Sequence, residues 1–451
     1  MSTDVTASHT FSVLGAIAIL ASFMIGPPAT ALAVTEPPPA LAPLEACRPP
    51  TFVRGAHEGF PVESSALPST GSARITSIYV DFSDAPGDPA AIAGYEQLLD
   101  QGGTILSTQS GDRLTLERST SGTWDRLPVT AAEYEAVNPN DVAMRLLTDT
   151  VSVVDGHVDF SSTDVLWLIL APSVISAASE ELHPVQIPTA EGTVTRAIVF
   201  NGIHFEPEKE WLVVHESGHS LGLPDLYSLL AVVEGADFIH PFTGGWDPMG
   251  ATFSARGREF FGWHLWRLGW IEDDAVSCVA HGTLGAVLLD SVGLRGHSTI
   301  AVVRVSEFEV IVIESRHADR YDEFLEETAG ALIYRVNTNT ISGFEPIRVV
   351  MPDGVPPFVD LATSYDAVLT PGQRYRDPSG VLIEALPRPD PTAHQDLVRI
   401  DTRALAPAPV PDEAEPQADG GSPAQTAGAT RLPETGARDV SPAGLGAVML
   451  A

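Results

Sequence analysis

The chain has 451 residues, enough for two or three domains, and 44% of them are hydrophobic, enough to build the cores of those domains. It carries 25 Lys and Arg residues against 59 Asp and Glu residues, a formal net charge of −34 at pH 7. This charge argues against nucleic acid and anionic membrane surfaces as partners, because both would repel the chain. It fits an exported protein that stays soluble by self-repulsion, although salt adaptation alone would give the same composition.

The first residues indicate export. Residues 11–25 form an apolar run of about 15 residues, too short to span a membrane but typical of a signal-peptide core. Ala31-Leu32-Ala33 matches an A-x-A cleavage site, so we predict a signal peptide over residues 1–33 and no stable membrane span after processing. No Lys or Arg precedes Arg48, so the basic start of a signal peptide is missing. A misassigned start codon and a retained anchor are the alternatives.

Residues 34–74 are predicted to form a short pro-like segment, which contains Cys47; the second cysteine of the chain is Cys278. Two cysteines in an exported protein predict one disulfide, which would tie this segment to a region much later in the chain. The alternative is that Cys47 caps a catalytic metal ion in a latent form, because a thiolate binds zinc well.

Residues 75–275 alternate strand-like and helix-like segments. The predicted strands are 78–82, 165–170 and 197–200, and the predicted helices are 90–99 and 206–221. The run Val-Leu-Trp-Leu-Ile-Leu at 165–170 is continuously apolar, as expected of a strand buried on both faces. The pattern predicts an α/β domain whose last helix packs on a sheet.

The segment from His215 to Asp225 reads H-E-x-x-H-x-x-G-x-x-D, the spacing of a catalytic zinc site. On a helix, His215 and His219 lie one turn apart on the same face, so both imidazoles can bind one metal ion. Glu216 lies beside them and can act as the catalytic carboxylate. Gly222 allows the helix to end, and the chain can then turn so that Asp225 supplies a third ligand. The sequence therefore predicts Zn²⁺ as the cofactor of a hydrolase, most often a peptidase.

Three further residues bear on this site. Met249 lies in Asp-Pro-Met-Gly, which matches the methionine turn beneath the zinc ion of metzincins. His264, on a helix-like segment, is the alternative to Asp225 as third ligand, because a histidine from a distal helix would also complete a tetrahedral site. Tyr227 is a candidate donor to the oxyanion of the reaction intermediate, although packing would explain it equally well.

Residues 276–403 are rich in short, turn-bounded strand patterns. The predicted strands are 299–305, 309–314, 331–336, 347–351, 381–385 and 397–401. They predict an antiparallel β-sandwich-like domain. This domain could dock substrate, brace the catalytic domain or bind Ca²⁺ through its carboxylates. We expect Glu314 and Arg316 to form a structural ion pair across neighbouring strands.

The carboxyl-terminal residues indicate attachment to a cell wall. Residues 404–431 are a linker rich in Pro, Ala, Gly and acidic residues. Residues 432–451 open with Leu-Pro-Glu-Thr-Gly, which resembles the motif that sortases of Gram-positive bacteria cleave, here after Thr435, to join a protein to peptidoglycan. The tail that follows lacks the longer apolar span and basic end of a complete sorting signal. We therefore expect a secreted protein with sortase and peptidoglycan as partners, and a truncated or decayed signal is the alternative.

Several segments together resemble the immune inhibitor A family of secreted bacterial zinc metallopeptidases. Residues 215–227, H-E-S-G-H-S-L-G-L-P-D-L-Y, and residues 244–250, G-G-W-D-P-M-G, are very similar to those of the family, and the resemblance covers residues 74–386 in order. It implies a metzincin-like α/β zincin that cleaves proteins or peptides, with His215 and His219 as zinc ligands, Glu216 as the catalytic carboxylate and Met249 in the turn. Pro248 departs from the aliphatic residue usual in that turn, and residues 34–74 are short for a folded prodomain.

Two other classes of function compete with a peptidase. A non-catalytic cell-surface binding or adhesive protein would have a structural or vacant zinc site. Structural sites usually have four protein ligands and favour cysteine, and no cysteine lies near His215. A zinc hydrolase with a non-peptide substrate is the other competitor. Chelator-sensitive cleavage of a protein substrate would separate the three.

Overall fold

A computed structural model of the protein describes residues 36–137, 139–172, 179–204, 209–250, 258–322, 325 and 328–405. The predicted signal peptide, nearly all of the linker, and the sorting motif with Thr435 lie outside the described residues. The chain from Glu36 onward belongs to one compact unit and is mixed α/β, with several sheets and few helices. None of the helices described is long and apolar enough to cross a membrane.

The amino-terminal half is built on a five-stranded sheet. The strands of this half are β1 (Gly71–Asp81), β2 (Leu114–Arg126), β3 (Val165–Leu170), β4 (Glu180–Leu182), β5 (Ile187–Pro188), β6 (Thr193–Val194) and β7 (Ala197–Phe200). The helices of this half are α1 (Ile92–Ser110), α2 (Ala131–Glu135), α3 (Pro139–Val154), α4 (Glu210–Ser220), α5 (Leu229–Val233) and α6 (Gly262–Arg267). The sheet order is β2-β1-β3-β7-β4. Its pairs are parallel except that of the edge strand β4 with β7, and β5 pairs with β6 apart from it.

The central strand β3 is buried along its whole length because helices cover both faces of the sheet. Trp167 and Ile169 belong to the apolar cluster that includes α1 and α4. Leu166, Leu168 and Leu170 belong to the cluster that includes α3. The alternation follows the two-residue period of a strand. The strand predicted from the continuous apolar run is therefore confirmed.

The helix predicted over 90–99 extends from Ile92 to Ser110. It continues through Gly102, where an added Cβ atom would lie 2.5 Å from the Cβ of Val213. Glycine at this position lets α1 pack closely on α4, which carries the zinc motif. The low helix propensity of glycine concealed this continuation in the sequence.

The other predicted elements of this half differ mainly at their ends. The strand predicted over 78–82 is the last part of β1, and the strand predicted over 197–200 is β7. The helix predicted over 206–221 is described from Glu210 to Ser220, and residues 205–208 lie outside the described residues. The long strand β2 and the helix α3 were not predicted.

The carboxyl-terminal half adds two sheets. Its strands are β8 (Val276–Cys278), β9 (Leu284–Asp290), β10 (Ile300–Arg304), β11 (Glu309–Arg316), β12 (Gly330–Asn337), β13 (Ile347–Val349), β14 (Arg374–Arg376), β15 (Leu382–Leu386) and β16 (Gln395–Asp401), and a short helix, α7 (Leu361–Ser364), lies between β13 and β14. The sheet orders are β13-β12-β11-β10-β8 and β14-β15-β16-β9, with every pair antiparallel except β8 with β10. The strands predicted in this region are confirmed to within a few residues.

Two apolar clusters join these sheets to each other and to the first half. Leu289 and Ile383 of one sheet share a cluster with Ile311 of the other. A second cluster contains Trp167 of the first sheet and Tyr334 of β12. One apolar cluster therefore extends across both halves, and the domain boundary expected between residues 275 and 276 stays a prediction.

The segment before β1 contacts both halves. A disulfide joins Cys47 to Cys278 of β8. The backbone N–H of Ala42 donates to the carbonyl of Cys278, and that of Leu67 donates to the carbonyl of Ser220 at the end of α4. Because Cys47 has no free thiol in this structure, the alternative in which it caps a metal ion does not apply.

We expect the disulfide to stabilise the fold. Replacing both Cys47 and Cys278 with Ala should lower the free energy of unfolding by about 2–4 kcal/mol, because the unfolded chain would no longer be constrained by the cross-link. Urea unfolding followed by tryptophan fluorescence measures this change. Wild-type protein unfolded under reducing conditions is the control and should match the double variant. An unchanged urea midpoint in the double variant would contradict the expectation.

Candidate metal centre

The helix α4 is positioned by an apolar face and one glycine contact. Trp211, Leu212 and Val213 are buried in the core of the first half. A Cβ atom on Gly218 would lie 2.5 Å from the sulfur of Met249, so only glycine allows the methionine turn to pack on this helix. The helix ends where Gly222 adopts a positive φ of 85°, which reverses the chain after the second histidine.

Three side chains from this segment, those of His215, His219 and Asp225, converge on one point and are called the triad below. The Nε2 atoms of His215 and His219 lie 3.1 Å apart. Oδ1 of Asp225 lies 3.3 Å from the first and 3.1 Å from the second. Their ligand atoms all fall within 4.8 Å of one another, and this is the one such group of His, Cys, Asp and Glu among the residues described.

The opposite side of each imidazole fixes its tautomer. Nδ1 of His215 donates to the carbonyl of Pro248 at 3.0 Å, and Nδ1 of His219 donates to the carbonyl of Leu223 at 2.8 Å. In the neutral rings, both Nε2 lone pairs then face the Asp225 carboxylate, and three acceptors without a hydrogen between them require a cation. A proton can serve as that cation. Burial of the His219 imidazole opposes its positive charge, but the neighbouring Asp225 carboxylate raises the pKa of His219 to about 10. The donor set fits a divalent ion of the zinc class.

The third donor, Asp225, is oriented by the loop between β12 and β13. Ser342 accepts a hydrogen bond from the Asp225 N–H at 2.8 Å and donates one to Asp225 Oδ2 at 3.0 Å. Gly343 N–H donates to the Asp225 carbonyl. The Tyr227 ring stacks near His215 with the centroids 6.1 Å apart. Burial, together with the neighbouring Asp225 carboxylate, raises the pKa of the Tyr227 hydroxyl well above its ordinary value. Tyr227 therefore lies beside the convergent side chains, and its role as an oxyanion donor stays a prediction.

The methionine turn is fixed by a buried aspartate. Asp247 accepts the N–H of Met249 through Oδ1 at 2.8 Å and the N–H of Phe261 through Oδ2 at 2.6 Å. The turn thereby holds the Pro248 carbonyl that His215 contacts. Met249 is fully buried and packs against Gly218 of α4, the residue before His219.

His264 does not contribute to the triad. Its Nε2 contacts Oε1 of Glu58 at 2.8 Å and its Nδ1 contacts Oδ2 of Asp247 at 3.0 Å, with all three side chains fully buried. Burial opposes the charge of this imidazole, but the two carboxylates raise its pKa to about 10. A histidine that donates from both nitrogens has no lone pair for a metal ion. His264 is therefore not placed to join His215 and His219, whereas Asp225 lies beside both of them; that Asp225 is the third ligand stays a prediction.

A second buried ion pair supports the methionine turn from β11. Arg316 contacts Oε1 of Glu314 at 3.0 Å and Oδ2 of Asp322 at 2.8 Å, and it donates to the carbonyl of Trp246 at 2.9 Å. The other oxygen of Glu314 accepts the N–H of Gly262 at 2.7 Å, where α6 begins. Glu314 and Arg316 were expected to pair across strands. They pair within one strand instead, because residues two apart project from the same face.

The triad lies in a cleft of about 1020 Å³. Polar lining residues include Glu216, Glu180 of the edge strand β4, and Glu63 and Ser65 of the amino-terminal segment. The apolar lining residues are Leu229, Leu230, Val233, Ile239, Ile341 and Phe344. Burial raises the pKa of Glu216 well above its ordinary value, and although His219 opposes this, the carboxylates of Asp225 and Glu180 add to it. A buried carboxylate that favours its protonated form beside a cation site can both accept and release a proton.

Two residues that support the site gave no recognisable signal in the sequence. Glu58 and Ser342 lie in stretches far from the zinc motif. Each lies in a loop or strand whose local pattern is ordinary. His240 also lines the cleft, and burial lowers its pKa to about 4. Binding of Ca²⁺ by the carboxyl-terminal half stays a prediction.

No protein-family model and no curated protein matches this chain. Among solved structures, it is similar to catalytically inactive OgpA from Akkermansia muciniphila in complex with an O-glycopeptide (glycodrosocin) substrate, at 11% sequence identity. The match covers 78% of this chain and 99% of that chain, with a TM-score of 0.25. A TM-score this low carries no argument about fold, active site or substrate.

We expect Arg316 to be essential for the stability of the turn. Replacing Arg316 with Met should lower the free energy of unfolding by about 3–5 kcal/mol, because it leaves Glu314 and Asp322 buried without a counter-charge. The matched control is Arg374→Met, whose side chain is 59% exposed beside Asp353 and whose loss should cost less than about 0.5 kcal/mol. Urea unfolding of the two variants measures the difference. Equal stability of both variants would refute the bracing role.

Proposed function

We propose that the protein is a zinc-dependent endopeptidase with a metzincin-like catalytic domain followed by a β-sandwich-like domain. The observation that carries this proposal is the convergence of His215, His219 and Asp225 beside Glu216 in one cleft. The resemblance of residues 215–227 and 244–250 to the immune inhibitor A family supports it.

A zinc ion held by these donors would supply Lewis-acid chemistry, polarising a peptide carbonyl and acidifying a water molecule. Glu216 would accept the proton of that water during attack on the carbonyl carbon and deliver it to the leaving amine. Its raised pKa suits both transfers. Asp225 would contribute a negative charge to the donor set, and Ser342 would keep its carboxylate in place.

The shape of the cleft favours an extended peptide as substrate. The strand β4 is the edge of the first sheet and lines the cleft, so its free backbone groups can pair with a peptide strand. The apolar side of the cleft offers burial for a side chain next to the scissile bond. Attack on an internal bond fits a cleft lined by both halves of the chain.

The competing class is a non-catalytic cell-surface binding protein with a structural or vacant metal site. Structural zinc sites are closed by four protein ligands. Three donors converge in the part of the chain that is described, and they do so in a cleft large enough for a peptide. A catalytic site is therefore the better interpretation. Export, and anchoring to the wall of a Gram-positive cell by sortase, remain part of the proposal.

We expect the triad to bind one zinc ion per chain. Asp225→Ala and His219→Ala should each purify without stoichiometric zinc, because two remaining donors bind the ion poorly. The control is His157→Ala, whose side chain is 55% exposed and remote from the cleft. Elemental analysis after dialysis measures the metal content. Full zinc occupancy in Asp225→Ala would show that another residue is the third ligand.

We expect Glu216 to be required for hydrolysis but not for metal binding. Glu216→Gln should retain zinc and lower kcat on casein by about 10²–10⁴-fold, the usual contribution of a general base. Glu117→Gln, at an exposed position of β2, is the matched control and should be fully active. A chelator should abolish wild-type activity, and added zinc should restore it. Chelator-resistant activity, or an active Glu216→Gln variant, would overturn the proposed function.

A further inference from the structure

The amino-terminal segment places the fully buried carboxylate of Glu58 against two residues of α6, His264 and Arg267. Its Oε1 lies 2.8 Å from His264 Nε2, and its Oε2 lies 3.3 Å from Nη1 of Arg267. Both cationic partners have fully buried side chains. Asp247 shares His264 with Glu58, but Arg267 has Glu58 as its ion-pair partner. Without Glu58 two buried positive charges would lose the carboxylate that lies between them.

A continuous chain of contacts leads from Glu58 to a metal ligand. Nδ1 of His264 contacts Asp247, and the two carboxylate oxygens of Asp247 accept hydrogen bonds from the N–H groups of Met249 and Phe261. Pro248 lies between Asp247 and Met249, and its carbonyl accepts a hydrogen bond from Nδ1 of His215 at 3.0 Å. The orientation of the His215 ring therefore depends, through this path, on a residue of the segment that precedes the catalytic half.

The same segment is attached to the protein at several other points. The disulfide joins Cys47 to Cys278, and Arg196 donates to the carbonyl of Ser65 at 2.5 Å. Leu67 is bonded to the end of α4. Residues 54–56 and 63–66 form part of the cleft wall. Removal of such a segment would open the core and the cleft together.

We propose that Glu58 is a positioning residue for the metal ligand His215, and that residues 36–70 are a permanent part of the active protein rather than a pro-segment that is removed. This inference rests on the proposed function, because it concerns the metal site of the same enzyme. It differs from the expectation that residues 34–74 are pro-like.

The first test measures metal binding rather than activity. Metal-free wild-type protein, Glu58→Ala and Glu58→Gln are titrated with Zn²⁺, and the visible absorption spectrum of each Co²⁺-loaded protein is recorded. We expect Glu58→Ala to bind Zn²⁺ about 10–100-fold more weakly and to alter the Co²⁺ spectrum, because the support of a ligand is lost. Glu58→Gln keeps the shape but not the charge and should show a smaller loss. Glu45→Gln, an exposed position of the same segment, should behave as wild type.

The positioning role would be overturned if both Glu58 variants bind Zn²⁺ with wild-type affinity and show an unchanged Co²⁺ spectrum. Near-ultraviolet circular dichroism checks that both variants have the native fold. Should Glu58→Ala not fold, Glu58→Gln decides the question.

The second test is the mass of the most active purified species after reduction, which should include residues 36–70. An active species that begins after Leu67 and lacks the segment would overturn its permanence. Wild-type protein that binds Zn²⁺ but cleaves no peptide would instead refute the proposed function alone.

Discussion

One electrostatic constraint organises the candidate centre: in their neutral forms the two imidazoles and the Asp225 carboxylate present three hydrogen-bond acceptors to one another. The Nδ1 atoms of His215 and His219 are committed to backbone carbonyls, so their Nε2 lone pairs and the Asp225 carboxylate must face each other. Such an arrangement is unfavourable unless a cation occupies its centre. The surrounding protein has to hold these groups in place, and much of the fold can be understood as the scaffold that does so.

That scaffold relies on buried charges as well as apolar packing. His264 with its two carboxylates and Arg316 with Glu314 and Asp322 both contact the methionine turn and are almost completely excluded from water. Buried ion pairs add little net stability compared with apolar residues of the same shape, but they are costly to leave half-formed. The buried ion pairs instead determine geometry, because their contacts fix the position of the methionine turn and of the start of α6.

The local parts of this protein could be predicted from sequence and the distant parts could not. The strand at 165–170, the strands of the carboxyl-terminal half and the His215–His219 spacing follow periodicities of two and of about four residues, which one chain displays directly. The extent of α1 was missed because Gly102 is explained only by its contact with Val213. Glu58 and Ser342 were missed because their partners lie far away along the chain. His264 stood as an alternative to Asp225 in the sequence because its two carboxylate partners cannot be recognised before the fold is known.

The Ser342–Asp225 contact also determines when the centre can form. During synthesis the two histidines emerge more than a hundred residues ahead of the serine that orients their partner carboxylate. A partly synthesised chain would thus hold both histidines and Asp225 but lack the hydroxyl that orients the Asp225 carboxylate, so the geometry of the three donors would be complete only after the carboxyl-terminal half has packed on the first.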